Sequence, residues 1–89
     1  MKVLWDERAW GEYLEWQVQD KKTLKRINAL IKDIQRNCCE GIGKPEPLKN
    51  NLNGWWSRRI DESNRIVYKE ENGTVITVII ASCKGHYED

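Results

Sequence analysis

One glutamate between two prolines is the side chain of this sequence most clearly held in place for chemistry. Pro45 has a fixed φ angle, and Pro47 biases Glu46 itself toward an extended backbone. The pattern predicts a carboxylate on a stiff loop, where it is able to act as a general base. An exposed glutamate in an ordinary surface turn is the alternative, and the Pro-Glu-Pro motif by itself favours that alternative.

Three arginines follow this glutamate within twenty residues: Arg58, Arg59 and Arg65. Guanidinium groups bind phosphate oxygens through two parallel hydrogen bonds and remain charged at any relevant pH. We expect these arginines to lie on two strands joined by a short loop. An odd number of residues in that loop would align Arg59 with Arg65. An even number would pair Arg65 with Arg58, and the sequence leaves both registers open. Surface arginines on an edge hairpin are the alternative to a phosphate site.

His86 is the single histidine, and it precedes Tyr87 near the C-terminus. The ordinary pKa of histidine, about 6.5, suits a general acid near neutral pH, and a tyrosine ring can stack on a base. A terminal segment without a role is an equally good reading of these two residues alone.

A base, a set of cations and an acid are together what cleavage of RNA by its own 2′-hydroxyl requires. We therefore predict that the stretch 43–68 forms one wall of an RNA-cleaving cleft and that residues 85–87 close it. Side chains supply all three functions, so we expect no metal and no cofactor. Cys83 and His86 have the spacing of half a metal site, but the sequence contains no second half.

Length and composition indicate one small domain, residues 1–89, with a net charge of +1. The sequence contains no apolar run long enough to span a membrane and no secretory signal, which predicts a cytoplasmic protein. Cys38 and Cys39 are adjacent and Cys83 is distant, so we expect no disulfide framework.

The positive charge is concentrated between Lys21 and Arg36, where six basic residues and one acid give a net charge of +5. Such a segment can contact a polyanion, but the charge pattern taken alone favours the alternative of a solvated helix face. The basic residues are Lys21, Lys22, Lys25, Arg26, Lys32 and Arg36.

The apolar pattern predicts an α+β fold of order β-α-α-β-β-β. A strand over residues 1–5 precedes two helices capped by Asp6 and Asp20. In the first helix Trp10, Tyr13, Leu14 and the pair Gln17-Val18 form the inward stripe, and Glu7, Glu12 and Glu15 point outward. In the second helix Leu24, Ile27, Ile31 and Ile34 recur at spacings of three and four, which predicts an amphipathic helix. An ordered loop is expected over 37–54 and strands over 55–60, 65–70 and 74–82, the last two joined by a turn at Asn72-Gly73. Clustered elements of this kind imply an antiparallel sheet with the helical hairpin on one face.

These motifs resemble the YoeB toxins of the RelE superfamily over nearly the whole chain. The matching runs are Lys44-Pro45-Glu46-Pro47-Leu48-Lys49, Gly54-Trp55-Trp56-Ser57-Arg58-Arg59-Ile60, Arg65-Ile66-Val67-Tyr68 and His86-Tyr87. The chain departs from the family pattern in continuing past the His-Tyr pair with Glu88 and Asp89.

The resemblance implies a metal-independent endoribonuclease of a bacterial type II toxin–antitoxin pair that cuts mRNA in the ribosomal A site. It implies that Glu46 is the general base, Arg65 stabilises the phosphate and His86 is the general acid. Tyr87 would help to position the RNA, and Lys49 and Arg59 would be supporting basic residues. The implied partners are a YefM-type antitoxin, the ribosome with bound mRNA and a second copy of the chain. A non-catalytic toxin of the ParE type, which shares the scaffold and inhibits gyrase by binding, is the alternative.

Overall fold

The computed structural model describes residues 2–71 and 77–82, which form two helices and one five-stranded sheet. The strands are β1 (Lys2–Trp5), β2 (Glu46–Pro47), β3 (Trp55–Arg59), β4 (Arg65–Glu70) and β5 (Thr77–Ser82), and the helices are α1 (Glu7–Gln19) and α2 (Lys21–Arg36). A short 3₁₀ turn covers Asn50–Leu52. The order of strands across the sheet is β1-β5-β4-β3-β2. Within these residues, no helix is long and apolar enough to cross a membrane.

A single residue, Asp20, separates the two helices and caps both of them. Its backbone N–H donates to the carbonyl of Trp16 at the end of α1. Its carboxylate accepts the free N–H groups of Lys22 and Thr23 at the start of α2, at 3.0 and 3.3 Å. These contacts bond backbone groups that a helix end otherwise leaves to water. The predicted helical hairpin is therefore confirmed, with a connection one residue shorter than expected.

Helix α2 supplies three of the buried apolar residues that the structure describes. Ile27, Leu30 and Ile34 recur at intervals of three and four residues and have no exposed surface. They pack with Ile66 and Tyr68 of β4, which lie on one face of the sheet. Side chains of this size typically contribute about 1.5–3 kcal/mol each when fully buried. Packing of α2 on the sheet therefore accounts for much of the stability of the fold.

The inward face of α1 lies one residue away from the predicted one. Ala9 is fully buried, and Tyr13 and Trp16 pack against the core. Leu14 and Val18, predicted to point inward, are 42% and 88% exposed. Since successive residues differ by about 100° around a helix, a one-residue error in phase exchanges neighbouring positions between the two faces.

Glu12 was predicted to face solvent and is instead buried, so this prediction is wrong. Its carboxylate accepts a hydrogen bond from Nε of Arg8, at 3.0 Å, one turn earlier in α1. This ion pair offsets part of the cost of removing the charge from water.

The α+β class and the antiparallel β3-β4-β5 arrangement are confirmed. The sheet is not wholly antiparallel, because β1 pairs with β5 in parallel, with Lys2 opposite Thr77. The chain passes through both helices and three strands between β1 and β5, so no short turn forces these two neighbouring strands to run in opposite directions. Strand β2 is a further difference, since an ordered loop was predicted for its residues. The predicted Asn72-Gly73 turn lies outside the described residues.

Arg58 is the largest fully buried side chain of the described residues, with no exposed surface. A guanidinium has five N–H donors, and here all five are used. Nε donates to the hydroxyl of Tyr68 at 3.0 Å, and Nη1 donates to Oδ2 of Asp33 at 2.5 Å. The other three bonds go to the backbone carbonyl oxygens of Asn37 (2.6 Å), Glu40 (3.1 Å) and Ile42 (3.2 Å). The prediction that Arg58 binds substrate is therefore wrong, because no donor remains and none is accessible.

Asp33 is the counterion that makes this burial possible. Burial alone would raise the pKa of its carboxyl group, but hydrogen bonds from Arg58, Arg36 and the N–H of Ile42 outweigh that effect and lower the pKa to about 2. Tyr68 completes the network by donating its hydroxyl proton to the carbonyl of Cys38, at 2.5 Å. Asp33, Arg58 and Tyr68 thus join α2, β3 and β4 to the loop at 37–42, and we refer to them as the Arg58 network.

Replacing Arg58 with alanine is expected to lower the free energy of unfolding by about 3–5 kcal/mol, because Asp33 is left as a buried charge without its main partner. Arg59→Ala, one residue further along β3, removes an exposed side chain and should cost no more than about 0.5 kcal/mol. Guanidinium chloride unfolding, followed by tryptophan fluorescence, measures both values. Equal losses in the two variants would show that the Arg58 network does not stabilise the fold.

Because the pKa of Asp33 is lowered in the folded chain, the stability of the fold depends on pH in the acid range. The carboxyl group keeps its charge to lower pH in the folded chain than its ordinary pKa of 3.8 allows in the unfolded chain. Its contribution is therefore complete above about pH 4 and is lost as the pH falls toward 2. Asp33→Asn should unfold more easily than the original protein at pH 7, and thermal unfolding should show this difference shrinking between about pH 4 and pH 2. A difference that stays constant over that range would contradict the assignment.

Candidate active site

The loop that precedes Glu46 is shaped by two close backbone approaches. Gly41 has φ +134°, and a Cβ atom there would lie 1.9 Å from Oδ2 of Asp33. Gly43 has φ +81°, and a Cβ atom there would lie 2.7 Å from Leu30 and 3.1 Å from the carbonyl of Arg59. Only glycine fits these positions, because any side chain would displace the loop from the Arg58 network or from β3. The carbonyl of Gly43 then accepts the N–H of Arg59 at 2.7 Å, which attaches the loop to the end of β3.

Strand β2 fixes the position of Glu46 along the sheet. Glu46 pairs with Ser57 of β3, and Pro47 pairs with Trp56. Proline is tolerated here because β2 is the edge strand of the sheet. The predicted stiff presentation of Glu46 thus has a second cause besides the prolines, namely antiparallel pairing with β3. The Glu46 side chain is exposed.

The alternation of side chains along β3 separates two kinds of arginine. Trp56 and Arg58 point toward the helices and the core. Ser57 and Arg59 therefore point to the opposite face of the sheet. Residues directly opposite each other in a sheet share a face, so Glu46, the partner of Ser57, lies on the same face as Arg59.

Arg59 and Arg65 are direct partners across β3 and β4. Five residues, 60–64, connect them, which resolves the open register in favour of the odd-numbered loop. The carboxylate of Asp61 shapes this loop by accepting the N–H groups of Ser63 and Asn64 at 2.8 and 2.7 Å. Glu46, Arg59 and Arg65 consequently share the sheet face turned away from the helices, and we call this surface the outer face.

The guanidinium of Arg65 is oriented by the same loop. Its Nη1 donates to the carbonyl oxygens of Asp61 and Asn64, at 2.7 and 3.0 Å. Nε and Nη2 have no partner among the described residues, so this edge of the group is available to an anion. The like charges of Arg59 and Arg65 stand directly opposite each other, an arrangement that costs stability unless an anion neutralises it. A pair of this kind has the charge to attract a phosphate or a carboxylate.

The other predicted site residues have different locations. Lys49 is exposed at the start of the 3₁₀ turn, three residues beyond Glu46. Arg58 belongs to the buried network described above. His86 and Tyr87 lie outside the described residues, so their predicted roles remain predictions.

Sequence reasoning missed the residues that hold the site in place. Asp33 is an acid at an inward position of α2, between the buried Leu30 and Ile34. A charged residue within an apolar helix stripe is a signal of a buried ion pair. The position of Asp33 therefore indicated that a basic residue elsewhere in the chain pairs with it. Tyr68, fully buried on β4, gave no comparable signal.

Comparison with known proteins agrees with the geometry. A family model described as the YoeB-like toxin of bacterial type II toxin–antitoxin systems matches residues 5–87. The toxin YoeB of Escherichia coli strain K12 is 52% identical over 87 residues, which are 98% of this chain and 100% of that toxin.

Solved structures show the same relationship. A YoeB/ParE toxin from Agrobacterium tumefaciens superposes with a TM-score of 0.92 at 39% identity, over 98% of this chain and 100% of that one. A chain of the heterotetrameric YoeB–YefM toxin–antitoxin complex from Staphylococcus aureus superposes with a TM-score of 0.86 at 45% identity, over 98% of both chains. The resemblance inferred from the sequence is therefore confirmed, and this chain belongs to the YoeB-like toxins of bacterial type II toxin–antitoxin systems.

Proposed function

We propose that this toxin is an endoribonuclease that cuts mRNA bound in the ribosomal A site, by attack of the ribose 2′-hydroxyl on the adjacent phosphate. The observation that carries this proposal is the register of β2, β3 and β4, which brings Glu46 to the same outer face as Arg59 and Arg65. One carboxylate beside a phosphate-binding pair of arginines is the minimum that this reaction requires on the attacking side.

Glu46 acts as the general base in this proposal. It removes the proton of the 2′-hydroxyl while the 2′-oxygen forms a bond to phosphorus. An exposed carboxylate on a short edge strand meets RNA without rearrangement of the fold, because its backbone is already paired with Ser57. Preorganisation of this kind keeps the reacting atoms close at no further cost in entropy.

Arg59 and Arg65 stabilise the negative charge that accumulates on the phosphate oxygens. The unpaired edge of Arg65 is fixed in direction by its bonds to the loop, so it is able to bind the phosphate through two hydrogen bonds. An anion between the two arginines also removes their mutual repulsion. That repulsion makes the phosphate a better ligand than water at this position.

The bond from phosphorus to the 5′-oxygen breaks as the 2′-oxygen bond forms, and the departing oxygen needs a proton. We assign this proton to His86 and the placement of the neighbouring base to Tyr87. These two assignments rest on the resemblance to YoeB toxins and on the histidine being the only one in the sequence. Lys49, exposed beyond β2, is proposed to contact the RNA backbone.

The basic residues of α2 are proposed to contact ribosomal RNA. Lys21, Lys22, Lys25 and Lys32 are exposed. Arg36 instead pairs with Asp33 at 2.6 Å, and Arg26 donates to the carbonyl of Arg59 at 3.3 Å. The lysines are therefore the side chains of α2 that are free to contact phosphate groups.

A YefM-type antitoxin is the protein partner we propose, with an acidic or apolar segment that covers the outer face. Such a segment would neutralise Arg59 and Arg65 and exclude RNA at the same time. A second copy of the chain is the other proposed partner, and the exposed apolar side chains of Leu4, Trp10, Leu14 and Val18 support such a contact.

Glu46→Gln is expected to slow mRNA cleavage by about 10²–10⁴-fold while leaving the fold intact, because the amide has the shape of the carboxylate but does not accept a proton. The measurement is the rate at which new mRNA 5′ ends appear on translating ribosomes after the purified toxin is added. Glu7→Gln is the matched control, since Glu7 lies at the start of α1 and away from the outer face, and this variant should cleave at the original rate.

Cleavage by Glu46→Gln at the rate of the control would exclude Glu46 as the base. Absence of cleavage by the unaltered toxin, together with inhibition of gyrase, would instead identify a binding toxin of the ParE type.

A further inference from the structure

Two adjacent cysteines and one glutamate form a compact cluster that the proposed function does not use. Sγ of Cys38 lies 2.6 Å from Sγ of Cys39 and 2.6 Å from Oε2 of Glu70. The two sulfur atoms and a carboxylate oxygen all lie within 4.8 Å of one another. No other group of three or more potential metal ligands of this kind occurs among the described residues.

The backbone around the cluster is fixed by contacts already described. Asn37 is the C-cap residue that follows α2, and its Oδ1 accepts the N–H groups of Cys39 and Glu40 at 3.0 and 3.2 Å, which turns the chain. The carbonyl of Cys38 accepts the Tyr68 hydroxyl of the Arg58 network. Glu70 ends β4, two residues after Tyr68 and thus on the same face of the sheet. The fold therefore fixes the backbone positions of the three residues of the cluster.

The cluster and the candidate active site lie on opposite faces of the sheet. Tyr68 and Glu70 belong to the face covered by the helices, whereas Arg65 belongs to the outer face. A ligand held by the two cysteines consequently does not contact RNA bound at Glu46 and Arg65.

The chemistry and the burial of these three groups suit a bound cation. Cys38 is buried, and Cys39 and Glu70 are half-buried. Two sulfurs and a carboxylate in one half-buried position are the donor set that thiophilic divalent metals prefer, and the partial exposure of Cys39 provides a path from solvent.

We propose that Cys38, Cys39 and Glu70 bind one thiophilic divalent cation, for which Zn²⁺ is the natural candidate. Both S–H bonds break on binding and the two protons leave to solvent, so two thiolates and one carboxylate hold the ion. Water occupies the fourth position of a tetrahedron. A zinc ion about 2.3 Å from each sulfur requires the sulfurs to be roughly 3.7 Å apart, which rotation of the cysteine side chains provides.

Metal binding would connect the end of α2 to the end of β4. It would also immobilise Cys38, whose carbonyl is one of the acceptors of the Arg58 network. An ion that binds the folded chain and not the unfolded one stabilises the fold by mass action. The bound form should therefore be more resistant to heat than the metal-free form.

The test is titration of the reduced full-length protein, freed of metal by a chelator, with Co²⁺ as a spectroscopic probe and then with Zn²⁺. We expect one equivalent of Co²⁺ to produce a thiolate-to-cobalt charge-transfer absorption, and Zn²⁺ to abolish it by displacement. Zn²⁺ at roughly a hundredfold excess over its Kd should also raise the Tm by several degrees.

Cys39→Ser should abolish the absorption and the rise in Tm, and Glu70→Gln should weaken binding at least about tenfold. Cys83→Ser is the matched control, because it removes the third cysteine of the sequence and leaves Cys38 and Cys39 in place, so this variant should bind as the original protein does. Far-UV circular dichroism verifies that each variant is folded, and the half-exposed positions of Cys39 and Glu70 favour folding of both variants.

Three results would overturn the proposal. They are the absence of the charge-transfer absorption, its loss in Cys83→Ser but not in Cys39→Ser, and isolation of the chain with Cys38 and Cys39 joined in a disulfide that reforms faster than Zn²⁺ binds. None of these outcomes affects the cleavage assay, since the cluster is separate from the candidate active site.

Discussion

The fully buried guanidinium of Arg58 is the constraint on which the rest of this structure depends. A buried charge without partners costs several kcal/mol, so the fold must supply one acceptor for each of the five N–H groups. Asp33 and Tyr68 supply two, and the other three come from backbone carbonyls of the loop at 37–42. The path of that loop is therefore set by the need to satisfy Arg58, and the same loop leads directly into β2 and Glu46.

Neighbouring arginines on one strand consequently have opposite roles. The pleat of β3 turns Arg58 toward the helices and Arg59 toward the outer face, where Arg65 lies opposite it. The inner residue stabilises the fold and the outer residue is able to bind phosphate. Because the two functions alternate along one strand, a one-residue change in register would exchange them. The five-residue loop shaped by Asp61 prevents that change.

Much of this arrangement was accessible from the sequence, because local patterns report directly on helices, strands and caps. The periodicity of α2, the cap at Asp20 and the limits of β4 follow from single-residue preferences and are confirmed. The role of Arg58 was not accessible, because exposed and buried arginines look alike until the partner on a distant element is known. The face of α1 and the parallel pairing of β1 depend on tertiary packing in the same way. The sequence left two registers open, one that pairs Arg65 with Arg59 and one that pairs it with Arg58, and only the observed strand pairing decides between them.

Amide hydrogen exchange in the Tyr68→Phe variant tests most directly whether the Arg58 network positions the loop that leads to Glu46. This substitution removes one hydroxyl, and with it the bonds to Arg58 and Cys38, while keeping the aromatic ring in the core. We expect the amides of Ile42 and Arg59, which bond to Asp33 and Gly43, to exchange at least about tenfold faster relative to buried amides of α2. Equal acceleration of all these amides, or none at Ile42 and Arg59, would contradict the account, because the loop would then be held independently of the network.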